Sequence, residues 1–225
     1  MKNFKYALAS VILMFCACTT DDALYHDLNT QDIHHRTSVI PWNNTNPYDG
    51  VGERYREALD RYIDMNNIEL SGKHTVRLAD LGNKPYTITD DPLLALKEII
   101  TNSHLTLAAK TSLVDFIETI LTLPHDPYEV LYTTITRYES LMTDHPRFSA
   151  EDKRVILTFT SLVRHSFYSY STVDTNTEEE EPDDDWDNMV ANMIDFILVA
   201  LDENPEETIS TANHFVQKNQ FASKP

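Results

Sequence analysis

Cysteine is almost absent: the chain has two in 225 residues, Cys16 and Cys18, both near its N-terminal end. Everything after position 18 therefore lacks disulfides, thiolate metal ligands and cysteine nucleophiles, and has to stand on packing alone. Glycine is nearly as scarce. The four glycines lie at 50, 52, 72 and 82, in no frame that makes a glycine-rich phosphate loop or a Gly-x-Ser-x-Gly nucleophile elbow. Past Gly82 no helix can close on the usual left-handed glycine, which leaves Asn102, Asp144 and Asn204 for that role unless a helix simply stops at the next Asx-Pro. Cations are outnumbered, 18 Lys and Arg against 36 Asp and Glu, for a net charge of −18. Such a field argues against nucleic acid and anionic headgroups as partners and favours a basic protein.

What is present begins with Met1-Lys-Asn-Phe-Lys5. Lys2 and Lys5 precede a largely apolar run that ends in Phe15-Cys16-Ala17-Cys18. The run is about half of the roughly 20 apolar residues that a bilayer span needs, so it reads as a cleaved targeting segment and not as a membrane helix. Its last four residues resemble the lipobox of bacterial lipoprotein signals, with Ala17 in place before the cysteine and Phe15 where Leu is usual. That resemblance implies cleavage before Cys18 and acylation of Cys18. Two or more acyl chains make a stable anchor where one does not. Processing would remove Lys2 and Lys5 and make the mature chain more negative still. Residues 1–17 are thus expected to be a signal, and residues 18–42, with Asp21, Asp22, Asp27 and Asp32 and no periodicity, a polar tether. Asp21-Asp22 resembles the acidic surface-export signal of Bacteroidota lipoproteins. The expected location is the cell envelope, lipid-anchored, at an outer-membrane, periplasmic or surface face.

Residues 43–225 are expected to be one all-α domain, an irregular bundle or array of six to seven helices, with room for a minor strand pair near residues 74–89. Val51, Tyr55, Ala58, Leu59, Tyr62 and Ile63 share one helical face over about Val51–Met65. Further helices are expected at Pro92–Asn102, Leu105–Leu123, Pro127–Thr143, Ala150–Tyr170, Asp185–Asp202 and Pro205–Lys218. The starts are marked by Asp91-Pro92, Asp126-Pro127 and Asn204-Pro205, where an Asx side chain can accept from an orphan amide and Pro has no amide hydrogen to leave unpaired. Glu207 adds a capping box to the last of these, and Ser149-Ala-Glu-Asp152 has a looser form of it. Short breaks between helices favour antiparallel neighbours.

Residues 175–187 hold four Glu and four Asp, and an acidic loop over 174–187 is the expectation from like-charge repulsion. Asp183, Asp185 and Asp187 match the first ligand positions of an EF-hand, but Asn188 and Ile194 stand where that loop needs Gly and Glu. The three aspartates are better suited to the positive end of the following helix. The nine histidines, His34-His35 included, show no zinc spacing and no HExxH. Tyr128, Tyr132 and Tyr138 fall on one helix and read as packing. No catalytic or metal-binding residues and no cofactor are assigned from this pattern; the one site assigned is lipidation at Cys18.

Asn46-Pro-Tyr-Asp49-Gly-Val-Gly52-Glu resembles a recurrent opening in small uncharacterised cell-envelope lipoproteins of the Bacteroidota. Where that pattern continues with a His-Asn pair, this chain has Tyr55-Arg56. The resemblance implies location and no activity. Physically, Asn46-Pro47 and Asp49-Gly50 are consecutive turn signals that deliver Val51 into the first helix. Three readings of function follow: a non-enzymatic binding domain held by its lipid, an immunity-type inhibitor of a basic toxin, and an envelope hydrolase using paired carboxylates. Two carboxylates converging in a deep pocket would favour the last.

Overall fold

The computed structural model describes residues 39–66, 76–81, 91–123, 127–171 and 182–222. Among them the chain is all-α, with seven helices and no strand. These are α1 (Asp49–Asn66), α2 (Pro92–Asn102), α3 (Leu107–Ile120), α4 (Tyr128–Thr143), α5 (Ala150–Ser171), α6 (Pro182–Leu201) and α7 (Pro205–Ala222). No helix among the described residues is long and apolar enough to cross a membrane. Of the region where a strand pair was expected, Leu78–Leu81 forms a single 3-10 turn, closed by the Arg77 amide donating to Asp80 at 2.8 Å; residues 74–75 and 82–89 lie outside the described residues.

Helix α5 is the axis of the domain. Every residue from Val155 to Ser166 is buried, a stretch of more than three turns with no solvent face. Helices α1, α3, α4 and α6 pack around it, α7 lies against α1 and α6, and α2 covers α6 and α3. Phe159, Leu162 and Val163 on α5 and Ile194, Phe196 and Ile197 on α6 fill the centre. Tyr55 of α1 meets Phe196 edge-on at 5.2 Å.

The helix starts follow the capping chemistry. Asp91 accepts from the Leu94 amide at 2.9 Å, and Asn204 accepts from Glu207 at 3.4 Å. The fullest capping box is at Ser149, whose hydroxyl accepts from the Asp152 amide at 3.0 Å while Asp152 accepts from the Ser149 amide at 2.9 Å. The start of α3 is set by Thr106, which accepts from Ala109 and is itself held by Asp152. At α4 the helix begins one residue later than expected, with Pro127 as an N-cap that has no side-chain bond. Helix α6 begins at Pro182 and not at Asp185, so residues 182–187 of the expected acidic loop are helical; Pro suits the first helical position, and Asp183 and Asp185 fall in the first turn, where the helix dipole favours them.

The helix ends differ from expectation. Ser103, Leu121 and Asp144 cap α2, α3 and α4 with φ of −67°, −65° and −94°, so none is left-handed and Asn102 stays inside its helix. Basic side chains satisfy the last carbonyls instead. Lys110 Nζ donates to Thr101 O at 2.7 Å, Lys153 Nζ to Thr143 O at 2.8 Å, and Arg154 Nη1 to Ala200 O at 3.2 Å. A cation at a helix C-terminus also meets the negative end of the dipole, which explains how the helices end with so little glycine.

Candidate functional site

The segment 41–48 leads into α1 as a strap laid over α4 and α5. Its two asparagines fold it locally. Asn43 Oδ1 accepts from the Thr45 amide at 3.1 Å and its hydroxyl at 2.7 Å, and Asn46 Oδ1 accepts from the Tyr48 amide at 2.9 Å. Both are Asx turns, the use for which short amide side chains compete best. Each then spends its amide nitrogen on Glu139 of α4: Asn43 Nδ2 donates at 2.5 Å and Asn46 Nδ2 at 2.7 Å, with a further bond from Asn46 to Leu157 O at 2.9 Å. Glu139 is 1% exposed and also accepts from Thr160 Oγ1 at 2.9 Å and Arg164 Nη2 at 3.1 Å.

Asp49 completes the cluster from the first residue of α1. Its carboxylate accepts from the Asn43 amide at 3.0 Å, Arg164 Nη2 at 2.6 Å and Ser161 Oγ at 3.3 Å, and lies 3.3 Å from His165 Nε2. Arg164 and His165 are both 0% exposed. Burial alone would raise the Asp49 carboxyl; the hydrogen bond to His165, the charge of Arg164 and the Asn43 amide outweigh it and hold the group down at about 2. Burial likewise works against the Arg164 cation, but Glu139 and Asp49 together keep its pKa above the ordinary value. His165 is pushed the other way, below the usual histidine value, because burial outweighs the pull of Asp49. The contact between α1 and α5 is close here: Gly52 N donates to Ser161 Oγ at 3.2 Å. A Cβ on Gly52 would lie within 3.0 Å of Ser161 and the His165 ring.

Around this centre Trp42 sits edge-on to His165 at 6.2 Å, under the Arg56 guanidinium at 5.0 Å, with its indole nitrogen donating to Glu53 at 3.2 Å. Tyr132 holds the Trp42 carbonyl at 3.0 Å, and Tyr128 donates to the Arg164 carbonyl at 3.2 Å. Tyr138 stacks on Phe116 at 4.1 Å. All three tyrosines of α4 are therefore engaged in packing and structural hydrogen bonds.

Serine, histidine and aspartate meet at this point, but not as a charge relay. Asp49 lies between the other two, and the Ser161 hydroxyl is directed to Asp49 and not to the imidazole that would have to take its proton. Two carboxylates do converge, as the hydrolase reading requires. However, Arg164 binds both, and two surface clefts, one between α3 and α4 and one beside Asn204 and His214, include none of these residues. Chemically the arrangement fastens the strap to three helices.

Cys18 and His34-His35 lie outside the described residues, as does the acidic run up to Glu181. Asp183, Asp185 and Asp187 fall in the first turns of α6. Among the described residues no three His, Asp or Glu side chains come together as a metal site. Asn46 and Asp49 read in the sequence as turn formers, and the structure brings them to Glu139, Arg164 and His165, which nothing in the sequence pattern marks for a site. The one signal on offer is α5 itself: between Arg154 and Arg164 it carries no charge, and its polar residues there are small hydroxyls, the composition of a helix buried all round. No protein-family model matches the sequence, and no curated protein or solved structure proves similar to it.

Proposed function

We propose that this chain is a lipid-anchored protein of the cell envelope whose helical domain binds another protein and does not catalyse a reaction. The observation that carries the reading is the signal ending at Ala17-Cys18, with the only other cysteine inside the segment that processing removes. Two further features support it. The strongest polar constellation of the described residues is sealed by Arg164 and committed to structure, and the charge of −18 favours a basic partner through complementary fields. Capture of a basic toxin is one form of the same electrostatics. Radiolabelled palmitate incorporated into the wild type and lost with Cys18→Ser, together with release of that variant from the membrane fraction or its retention as precursor, is the expected result. Labelling that survives Cys18→Ser would sink the anchor.

A further inference from the structure

We propose that the strap of residues 41–48 is operated by protons: at neutral pH it is closed over His165, and mild acid opens it, lengthening the connection between the domain and its lipid. The change in tether length rests on the anchor at Cys18; the opening itself does not.

The geometry of His165 sets this up. Among the described residues its Nε2 has one partner, Asp49 Oδ1 at 3.3 Å, and its Nδ1 has none although the residue is 0% exposed. A neutral ring with its proton on Nε2 fits that arrangement. A second proton on Nδ1 would be a buried donor without an acceptor, which costs free energy until the ring reaches water. The surrounding charges divide. Asp49 of α1 attracts the cation, whereas Arg56 of α1 and Arg164 of α5 itself repel it. Glu53 lies beyond Trp42, and Asp60 of α1 is held one turn further along at Ser169. Glu139 of α4 acts on Arg164 and Tyr128 binds its carbonyl. The Asp195 carboxylate of α6 is bonded to Arg77 at 3.1 Å, and α3 meets α5 at the far end, at Asp152. The strap brings the Trp42 ring to the imidazole and no charge. Burial dominates this balance and favours the neutral form while the strap is closed.

Proton binding therefore favours whichever state exposes the ring, and the strap is the part that can leave. Helices α1 and α5 are joined by the Arg164–Asp49 ion pair, the Gly52–Ser161 contact and apolar packing, whereas residues 41–48 are held chiefly by polar contacts: the two asparagine side-chain amides, the Asn43 backbone amide on Asp49, the Tyr132 hydroxyl, and the Trp42 indole with the Arg56 guanidinium over it. Segments held by few contacts open first. Eight residues drawn out at ~3.3–3.6 Å each span at most roughly 25–30 Å, the upper bound on the added reach.

Hydrogen exchange of the full chain between pH 7.5 and 5, corrected for intrinsic rates, tests this. The amides of Asn43, Asn46 and Tyr48 should lose protection by roughly tenfold, because the open strap binds the proton more tightly than the closed one. The amides of α5 should keep theirs. His165→Gln, which can still donate to Asp49 but cannot titrate there, should abolish the response. Arg56→Gln removes a repelling charge and should move the midpoint to higher pH. Unchanged protection of the strap, loss of protection throughout α5 at the same pH, a response that persists in His165→Gln, or an unmoved midpoint in Arg56→Gln would each overturn the proposal. An acid response intact in a chain that takes no palmitate would uphold the strap and overturn its effect on the tether.

Discussion

At the scale of single residues, the domain depends on one guanidinium. Arg164 is the cation shared by two carboxylates, the half-buried Asp49 at 2.6 Å and the buried Glu139 at 3.1 Å. Removing one member of a buried ion cluster leaves the others uncompensated, at a cost of about 3–5 kcal/mol. Arg164→Met should therefore lower the urea midpoint by that equivalent, or prevent folding outright. Asp49 gives a pH signature of its own. Its folded pKa of about 2 lies below the ordinary carboxyl value of 3.8, so its contribution is fully present above the unfolded value and is lost as pH falls toward 2. The difference corresponds to about 2 kcal/mol. Asp49→Asn should lose that much at pH 7 and show a flatter acid limb in stability measured between pH 5 and pH 2.

At the scale of elements, the controlling contact is between α1 and α5. Glycine at 52 lets the two backbones approach until an amide reaches a serine hydroxyl, and the atoms that a Cβ would meet include the Ser161 carbonyl, which belongs to the buried axis and cannot swing aside. Gly52→Ala should destabilise by about 1–3 kcal/mol, the usual range for overpacking, read as a lowered melting temperature with helical content unchanged. Gly50→Ala, whose Cβ would meet only the Arg54 side chain at 3.8 Å, is the control and should change little. The helix ends carry a related point. Asx-Pro and Ser-x-x-Asp signals are local chemistry, and the sequence located the starts of α2, α5 and α7 by them. The ends are satisfied by Lys110, Lys153 and Arg154 reaching from elsewhere in the fold, and no local pattern announces a carbonyl's distant donor.

At the scale of the molecule, an excess of 18 negative charges makes self-repulsion the main electrostatic feature of the surface. Its range follows the Debye length, about 30 Å at 0.01 M salt and about 8 Å at 0.15 M. Raising salt across that interval should raise the melting temperature by a few degrees, since about 1 kcal/mol moves a domain of this size by roughly 2–4 °C. The buried cluster around Arg164 lies out of reach of mobile ions, so the Arg164→Met penalty should be insensitive to the same change. A melting temperature that fell with salt would mean that exposed ion pairs such as Arg54–Glu206 and Lys97–Glu118 outweigh the net repulsion.

The sequence by itself determined the all-α class and the helix starts at Pro92, Ala150 and Pro205, because periodicity and capping act within one turn of chain. It also marked Asn46 and Asp49 as turn residues through their pairing with Pro47 and Gly50. Only the tertiary structure decided what those two side chains do. Glu139 lies 93 positions from Asn46, and Arg164 lies 115 from Asp49. Neither residue carries a signal of its partner, since a buried charge looks in sequence like any surface charge until the helix around it is seen to have no surface. The same holds for His165, whose surroundings come from Asp49 of α1 and Trp42 of the strap.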